Sequence, residues 1–276
     1  MFIKLIKLEW KETWKLLTSL LFTMILCSLL GGIILSIGGG LCSADGSGSL
    51  YDNLMIFSML LGYSAQIALP LLALLRLCQY FWNSMYCRRG YLIHTLPVTK
   101  SELVGAKMAI SFLWVVLISA AVTISWILLM LLSKEITLEE ISSFFYIMVH
   151  PEVIDPITGE MLIVTDSYLF PVITALILLC IMTLLMIIYT AMTLGQMALR
   201  NRQAISIGLG TAMYALFMTI GMKACQIMNQ FSQESTQSNL RLVKNILLIS
   251  LPVLILIIAG LYLINVHVLN KHLNLE

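Results

Sequence analysis

The chain has 276 residues, of which 60% are hydrophobic and only 11% are charged. A soluble domain carries about 25% charged residues, so this composition and a mean hydropathy of +0.97 exclude a soluble globular enzyme. The net charge of +2 is small, and no nucleic-acid partner is expected. The composition predicts an integral membrane protein with one transmembrane domain, residues 1–276.

The first 15 residues, MFIKLIKLEWKETWK, predict an amphipathic helix that lies on an anionic membrane surface. Its apolar face carries Ile3, Ile6, Trp10, Trp14 and Leu17, at the spacing of one helix face. The residues expected to anchor it at the lipid headgroups are Lys4, Lys7, Trp10, Lys11 and Trp14. The same helix could instead brace a cytoplasmic partner. No small-residue cleavage site follows, so a cleaved signal peptide is not expected.

Six apolar stretches of roughly 20 or more residues follow along the chain. They predict an all-α fold with six transmembrane helices near residues 16–41, 54–82, 107–132, 168–199, 203–227 and 245–268.

The distribution of basic residues predicts that both termini are cytoplasmic, because cytoplasmic segments are rich in lysine and arginine. With six spans and an internal N-terminus, eleven of the 16 basic residues are cytoplasmic: Lys4, Lys7, Lys11, Lys15, Arg88, Arg89, Lys100, Lys107, Arg200, Arg202 and Lys271. The acidic residues show the opposite bias. The expected location is a bacterial plasma membrane.

The longest external loop is predicted at residues 133–167. Thr137 and Glu140 have the spacing of a capping box, which predicts a short helix over about 138–149. We expect that helix to rest Ile141, Phe144, Phe145 and Met148 on the membrane surface. Pro151, Pro156 and Gly159 then predict two turns.

Residues 86–107, YCRRGYLIHTLPVTKSELVGAK, form a basic interruption between two apolar runs. Pro97 disfavours helix at Leu96, and Thr99 with Glu102 forms a second capping box, so a new helix is expected to start at Lys100. The segment is therefore expected to be ordered, positively charged and cytoplasmic. A soluble partner could push on such an element.

The chain lacks the sequence signatures of catalysis. It has no phosphate-binding loop, no zinc-protease motif and no nucleophile elbow. The six cysteines and four histidines are scattered rather than set at metal-ligand spacing. We expect neither a catalytic nor a metal site, and no ability to hydrolyse ATP without a partner.

Three polar residues within the spans are candidates for a cavity or for contacts between helices. These are Gln66, Arg76 and Gln196. Arg76 lies close enough to the Tyr80–Trp82 aromatic belt to reach the cytoplasmic surface instead, and amides in spans commonly hydrogen-bond between helices.

Residues 86–107 resemble the membrane subunits of type-two ATP-binding-cassette transporters. Bacterial members carry a glycine, a leucine and the string T-L-P-V-[ST]-[RK]-x-E-L followed by G-K. The corresponding residues here run from Gly90 through Thr95-Leu96-Pro97-Val98-Thr99-Lys100 to Glu102-Leu103 and Gly105, with Ala106 inserted before Lys107. The basic turn in Gly195–Arg202 and the C-terminal KHLNLE are also similar to family patterns.

The resemblance implies that residues 83–106 are a cytoplasmic coupling segment that docks on a separate ATPase subunit. The coupling residues it indicates are Arg88, Arg89, Gly90, Leu92, Thr95, Leu96, Pro97, Thr99 and Glu102. It also implies that ATP and Mg²⁺ bind to the partner subunit, and that two permease chains pair, either two copies or this chain with a similar one. The substrates it implies are antimicrobial peptides, lipids or drugs.

Two other functions stay open. A membrane scaffold or sensor would use the same cytoplasmic loop to hold a partner without transport. An ion-coupled carrier is disfavoured because all acidic residues fall in predicted loops or at membrane edges.

Overall fold

The structure is a computed structural model that describes residues 2–42, 49–87, 99–133, 137–149, 152–154, 161–163, 169–198, 201–231 and 236–272. These residues form seven helices and two short strands. In chain order the elements are α1 (Phe2–Cys42), α2 (Ser49–Tyr86), α3 (Lys100–Leu132), α4 (Leu138–Val149), β1 (Glu152–Ile154), β2 (Met161–Ile163), α5 (Leu169–Gly195), α6 (Arg202–Phe231) and α7 (Thr236–His272).

Six of these helices are long and apolar enough to cross a membrane, which confirms the predicted all-α fold with six transmembrane helices. Each of the six predicted stretches falls on a different one of α1, α2, α3, α5, α6 and α7. α1 alone has 41 residues. At about 1.5 Å per residue it is twice as long as a hydrocarbon core of about 30 Å, so it must tilt or extend beyond that core. The membrane side of each terminus stays a prediction.

The predicted amphipathic segment, residues 1–15, belongs to α1, which continues without a break into the first span. Its inward face matches the predicted apolar face only in part. Leu17 is buried as predicted, but Glu9 and Thr13 are also buried and Ile3 is 81% exposed. The membrane-surface position of this segment stays a prediction.

Both capping boxes have the predicted hydrogen bonds. The Thr99 amide donates to Glu102 Oε2 at 3.3 Å, and the Glu102 amide donates to Thr99 Oγ1 at 3.4 Å. The Thr137 amide likewise donates to Glu140 Oε2 at 2.8 Å. Each box satisfies backbone donors that have no acceptor in the first helical turn. α3 and α4 therefore begin where the sequence predicted, at Lys100 and Leu138.

The described part of residues 133–167, the loop predicted to be external, adds a feature that the sequence did not predict. β1 and β2 pair as antiparallel strands with Glu152 opposite Ile163, Val153 opposite Leu162 and Ile154 opposite Met161. The turn residues Pro151, Pro156 and Gly159 lie outside the described residues.

The chain divides into two compact units. Unit 1 contains Met1–Trp10, Leu77–Val115 and Pro171–Glu276, and unit 2 contains Lys11–Arg76 and Val116–Phe170. The unit 1 core includes Met85, Trp114, Met186 and Leu269, all with 0% of their surface exposed. By contrast, only 6% of the residues in the apolar window of α6 are buried.

Unit 2 is held by close helix packing and by a small polar cluster. A Cβ added to Gly31 would lie 3.4 Å from the Gly62 Cα, so α1 and α2 approach closely where both have glycine. Gln66 donates hydrogen bonds to Ser28 at 2.8 Å and to Ser125 at 2.5 Å. These bonds connect α2 to α1 and α3.

Candidate functional site

A buried cluster of polar side chains lies in unit 1, and we call its four members, Glu9, Tyr80, Ser84 and Lys107, the Glu9 cluster. Glu9 is in the third turn of α1, and Lys107 lies two turns after the start of α3. Tyr80 and Ser84 are four residues apart on α2, so they share one helix face. Three helices thus contribute to one site.

The centre of the cluster is an ion pair. Lys107 Nζ lies 2.8 Å from Glu9 Oε1, and each side chain is only 2% exposed. Removing two charges from water is costly, and the attraction between them offsets this cost only when the remaining polar atoms are also satisfied. An ionisable pair in or next to a membrane span is a hypothesis for a functional site, which makes this cluster the candidate site.

Two further hydrogen bonds and a ring contact complete the pair. Tyr80 donates its hydroxyl proton to Glu9 Oε2 at 2.5 Å, and Lys107 donates to Ser84 Oγ at 2.6 Å. Lys107 Nζ also lies 5.2 Å from the centre of the Tyr80 ring, within range of a cation–π interaction. Both charges therefore have several fixed partners.

Aromatic stacking surrounds the cluster and connects it to α5. Trp10 stacks on Trp114 with ring centres 4.8 Å apart, and Phe81 stacks on Tyr189 with ring centres 4.0 Å apart. Tyr189 shares a hydrogen bond of 2.8 Å with Ser111 on α3. These large flat contacts restrict rotation of α1, α2 and α3 around the ion pair.

The first turn of α3 is also tied to α7. Lys100 Nζ donates to the Leu269 carbonyl at 2.5 Å, and the Tyr262 hydroxyl donates to the Ser101 carbonyl at 3.0 Å. The helix start therefore has polar contacts to α7 at its first turn and to α1 and α2 two turns later. Any displacement of the segment that precedes Lys100 would act directly on these contacts.

Most of the predicted coupling residues lie outside the described residues, namely Arg88, Arg89, Gly90, Leu92, Thr95, Leu96 and Pro97. The structure describes Thr99 and Glu102, which form the capping box of α3. Their predicted coupling role stays a prediction.

The predicted membrane-anchoring residues divide into two groups. Lys4, Lys7 and Lys11 are exposed, and Trp14 is 47% exposed. Trp10 is instead half-buried against Trp114, so it contributes to helix packing.

The three candidate cavity or contact residues have different surroundings. Gln66 is buried and bonds between helices, as described above. Arg76 is exposed on α2. Gln196 is half-buried after the end of α5, and its side-chain nitrogen is buried without a hydrogen-bond partner in the described structure.

Sequence reasoning missed the Glu9 cluster. It treated Glu9 as part of a surface helix and Lys107 as a cytoplasmic topology signal, and it did not predict that the two side chains are buried and paired across 98 residues of sequence. The membrane-surface and cytoplasmic positions stay predictions. The local signal was two acids, Glu9 and Glu12, among four lysines, which identifies neither the buried acid nor its distant partner.

Among the described residues, no group of three or more histidine, cysteine, aspartate or glutamate side chains could hold a metal ion. The expectation that ATP and Mg²⁺ bind to another subunit stays a prediction. What the Glu9 cluster can do is fix, or release, the relative positions of α1, α2 and α3.

Comparison with known proteins does not assign the chain to a family: no protein-family model, no curated protein and no solved structure matches it.

Proposed function

We propose that the chain is the membrane subunit of an ATP-driven exporter, in which a separate ATPase subunit acts on residues 83–106. The sequence resemblance at residues 86–107 and the six apolar helices support this assignment. The observation that carries it is the anchoring of α3. This helix begins at Lys100, within the predicted coupling segment, and side chains from its first two turns contact α1, α2 and α7.

The proposed mechanism follows from these contacts. ATP binding on the partner moves the coupling segment, and the capped start of α3 carries the displacement as a rigid helix. Lys107 then passes the force to Glu9 on α1 and to Ser84 on α2 through bonds of 2.6–2.8 Å. Three transmembrane helices move together, which changes the access of the substrate pathway.

The substrate proposed is an amphipathic molecule such as an antimicrobial peptide, a lipid or a drug. α4 supports this choice, since it is a short helix in the loop predicted to be external and its last six residues, FFYIMV, are all hydrophobic. Exchanging this loop with that of a related exporter should change which compounds the cell resists. An unchanged resistance profile would count against a role for α4 in substrate handling.

The proposed assembly contains a second permease chain. α6 supports a packing surface for it, because small residues recur on a face that is exposed in the single chain. These residues are Ala204, Gly208, Ala212 and Ala215. Small residues let transmembrane helices approach closely.

Co-purification with the presumed ATPase tests the proposal. The wild-type protein should retain the ATPase and stimulate its ATP turnover. The Arg88→Glu/Arg89→Glu variant should no longer bind the ATPase, because two positive charges of the proposed docking segment become negative. The matched control is Arg241→Glu/Lys244→Glu. It makes the same charge change between the fifth and sixth predicted spans, a position that the predicted topology puts on the external side. Failure to retain any ATPase, or equal retention by both double variants, would favour the scaffold or sensor.

A second candidate function is an ion-coupled carrier. It is favoured by Glu9, whose buried carboxylate lies in the helix that contains the first candidate span, since proton and ion relays are built from buried acidic groups. Transport by purified protein in vesicles distinguishes the two. A carrier would work with a proton gradient alone, whereas the exporter requires the ATPase and ATP.

A further inference from the structure

A polar cavity of about 670 Å³ opens in unit 1 between the end of α2 and the turn that joins α5 to α6. The described residues that line it are Trp82, Tyr86, Gln196, Asn201, Arg202, Gln203 and Ala204. None of them is acidic. The cavity is separate from the Glu9 cluster, since it shares no residue with it.

One residue that lines the cavity has a hydrogen-bond donor without a partner. The Gln196 side-chain nitrogen is buried and has no partner in the described structure. A buried donor without a partner is unfavourable, so a ligand oxygen that reaches this nitrogen would be stabilised.

Arg202 supplies positive charge at the same cavity. Its Nε donates to the Ala198 carbonyl at 3.3 Å, and no carboxylate among the described residues forms an ion pair with it. A guanidinium has five donors, so most of them stay available for an anion. The first backbone amides of α6 also point away from the helix at this end and add to the positive potential.

The opposite wall is aromatic and fixed in place. Tyr86 donates its hydroxyl proton to Thr193 Oγ1 at 2.8 Å, and its ring lies 5.6 Å from the ring of Trp82. Tryptophan and tyrosine concentrate at the depth of lipid headgroups. The cavity therefore combines an anion-binding side with a wall suited to the membrane interface.

We propose that this cavity binds a phosphate group. A phosphate offers several strong acceptor oxygens, and arginine matches its geometry with paired hydrogen bonds. Both an anionic phospholipid headgroup and free phosphate present this chemistry. A carboxylate from a protein partner could pair with the Arg202 guanidinium. Its two oxygens are too few, however, to accept hydrogen bonds from the guanidinium, the Gln196 amide and the start of α6 at the same time.

The test uses the purified full-length protein with two probes, phosphatidylglycerol in mixed micelles and inorganic phosphate in solution. Native mass spectrometry measures retained lipid, and thermal unfolding measures stabilisation by phosphate. The variants are Arg202→Gln and Gln196→Leu, with Arg202→Lys to preserve the charge. The matched control is Lys223→Gln, which removes one exposed positive charge near the other end of α6.

We expect Arg202→Gln to weaken phosphate-group binding about tenfold, the effect of losing a charge-assisted hydrogen bond. Gln196→Leu should weaken it less, Arg202→Lys should restore part of it, and Lys223→Gln should leave it unchanged. Loss with the lipid probe identifies a headgroup site, and loss with phosphate alone identifies a soluble ligand. The proposal is overturned if neither probe binds, or if the cavity variants behave like Lys223→Gln.

Discussion

The Glu9–Lys107 pair has hydrogen bonds on both of its charges, from Tyr80 and to Ser84. This arrangement decides what each substitution does. Glu9→Gln removes the carboxylate that pairs with the buried Lys107 ammonium, and Lys107→Met removes the ammonium that pairs with the buried Glu9 carboxylate. Breaking a buried pair in this way costs about 3–5 kcal/mol, whereas replacing both members is far less costly.

We therefore expect each single variant to lower the free energy of unfolding by about 3–5 kcal/mol. The double variant Glu9→Gln/Lys107→Met should lose clearly less than the sum of the two single losses. Denaturant titration in mixed micelles measures all three, with exposed Lys11→Gln as the control. Strict additivity would mean that the two charges do not stabilise each other.

Gln66 is the contrasting case among the buried polar residues. Its nitrogen donates to two serines, but its Oε1 is buried with no partner in the described structure. Leucine at this position removes that unsatisfied oxygen along with the two donors, and Ser28 still donates to the Met24 carbonyl. Removing the buried oxygen should stabilise the fold, and losing the two hydrogen bonds to serine should destabilise it, so the two effects oppose each other.

We expect Gln66→Leu to change the free energy of unfolding by no more than about 1 kcal/mol, close to the average value of about 0.6 kcal/mol for hydrogen bonds between membrane helices. The same titration used for the Glu9 variants measures it. A loss as large as that of Glu9→Gln would show that the amide binds something further, such as a buried water.

At the scale of elements, local sequence signals predicted where helices begin and how many cross the membrane. A capping box depends on two residues three positions apart, and a transmembrane span depends on one run of apolar residues. Both features can therefore be predicted from the local sequence. The Glu9 cluster depends on residues 98 apart, and the Ser28–Ser125 contact joins residues 97 apart. No local pattern specifies such pairs. The seven coupling residues from Arg88 to Pro97 remain predictions from resemblance.

The two capping boxes allow a matched test of the coupling element. Thr99→Ala and Thr137→Ala each remove a side-chain acceptor at a helix start, which costs about 1 kcal/mol. Both should therefore lower stability by a similar small amount. We expect only Thr99→Ala to reduce the stimulation of the partner ATPase, because only α3 follows the predicted docking segment. Equal ATPase turnover for the two variants would contradict the coupling role of the α3 start.

At the scale of the whole molecule, the exposed surface of α6 is where a substitution can affect the proposed assembly without affecting the single chain. A Cβ added to Gly208 or to Gly221 would meet nothing within 4 Å. Side chains at either position therefore fit in the isolated chain. Alanine there should even favour the helix slightly, since glycine costs roughly 0.5–1 kcal/mol relative to alanine in a helix interior. Substitutions at these two glycines consequently report on partners rather than on folding.

Gly208→Leu tests the second permease copy directly. Gly208 lies on the face with Ala204, Ala212 and Ala215, whereas Gly221, on the same helix, lies more than a quarter-turn away from that face. A leucine in a packed helix contact costs about 1–3 kcal/mol, which corresponds to roughly fivefold to 150-fold weaker association. We expect Gly208→Leu to shift the purified chain toward the monomer in analytical ultracentrifugation and Gly221→Leu to leave the dimer intact. If both variants associate like wild type, the second copy does not pack on this face.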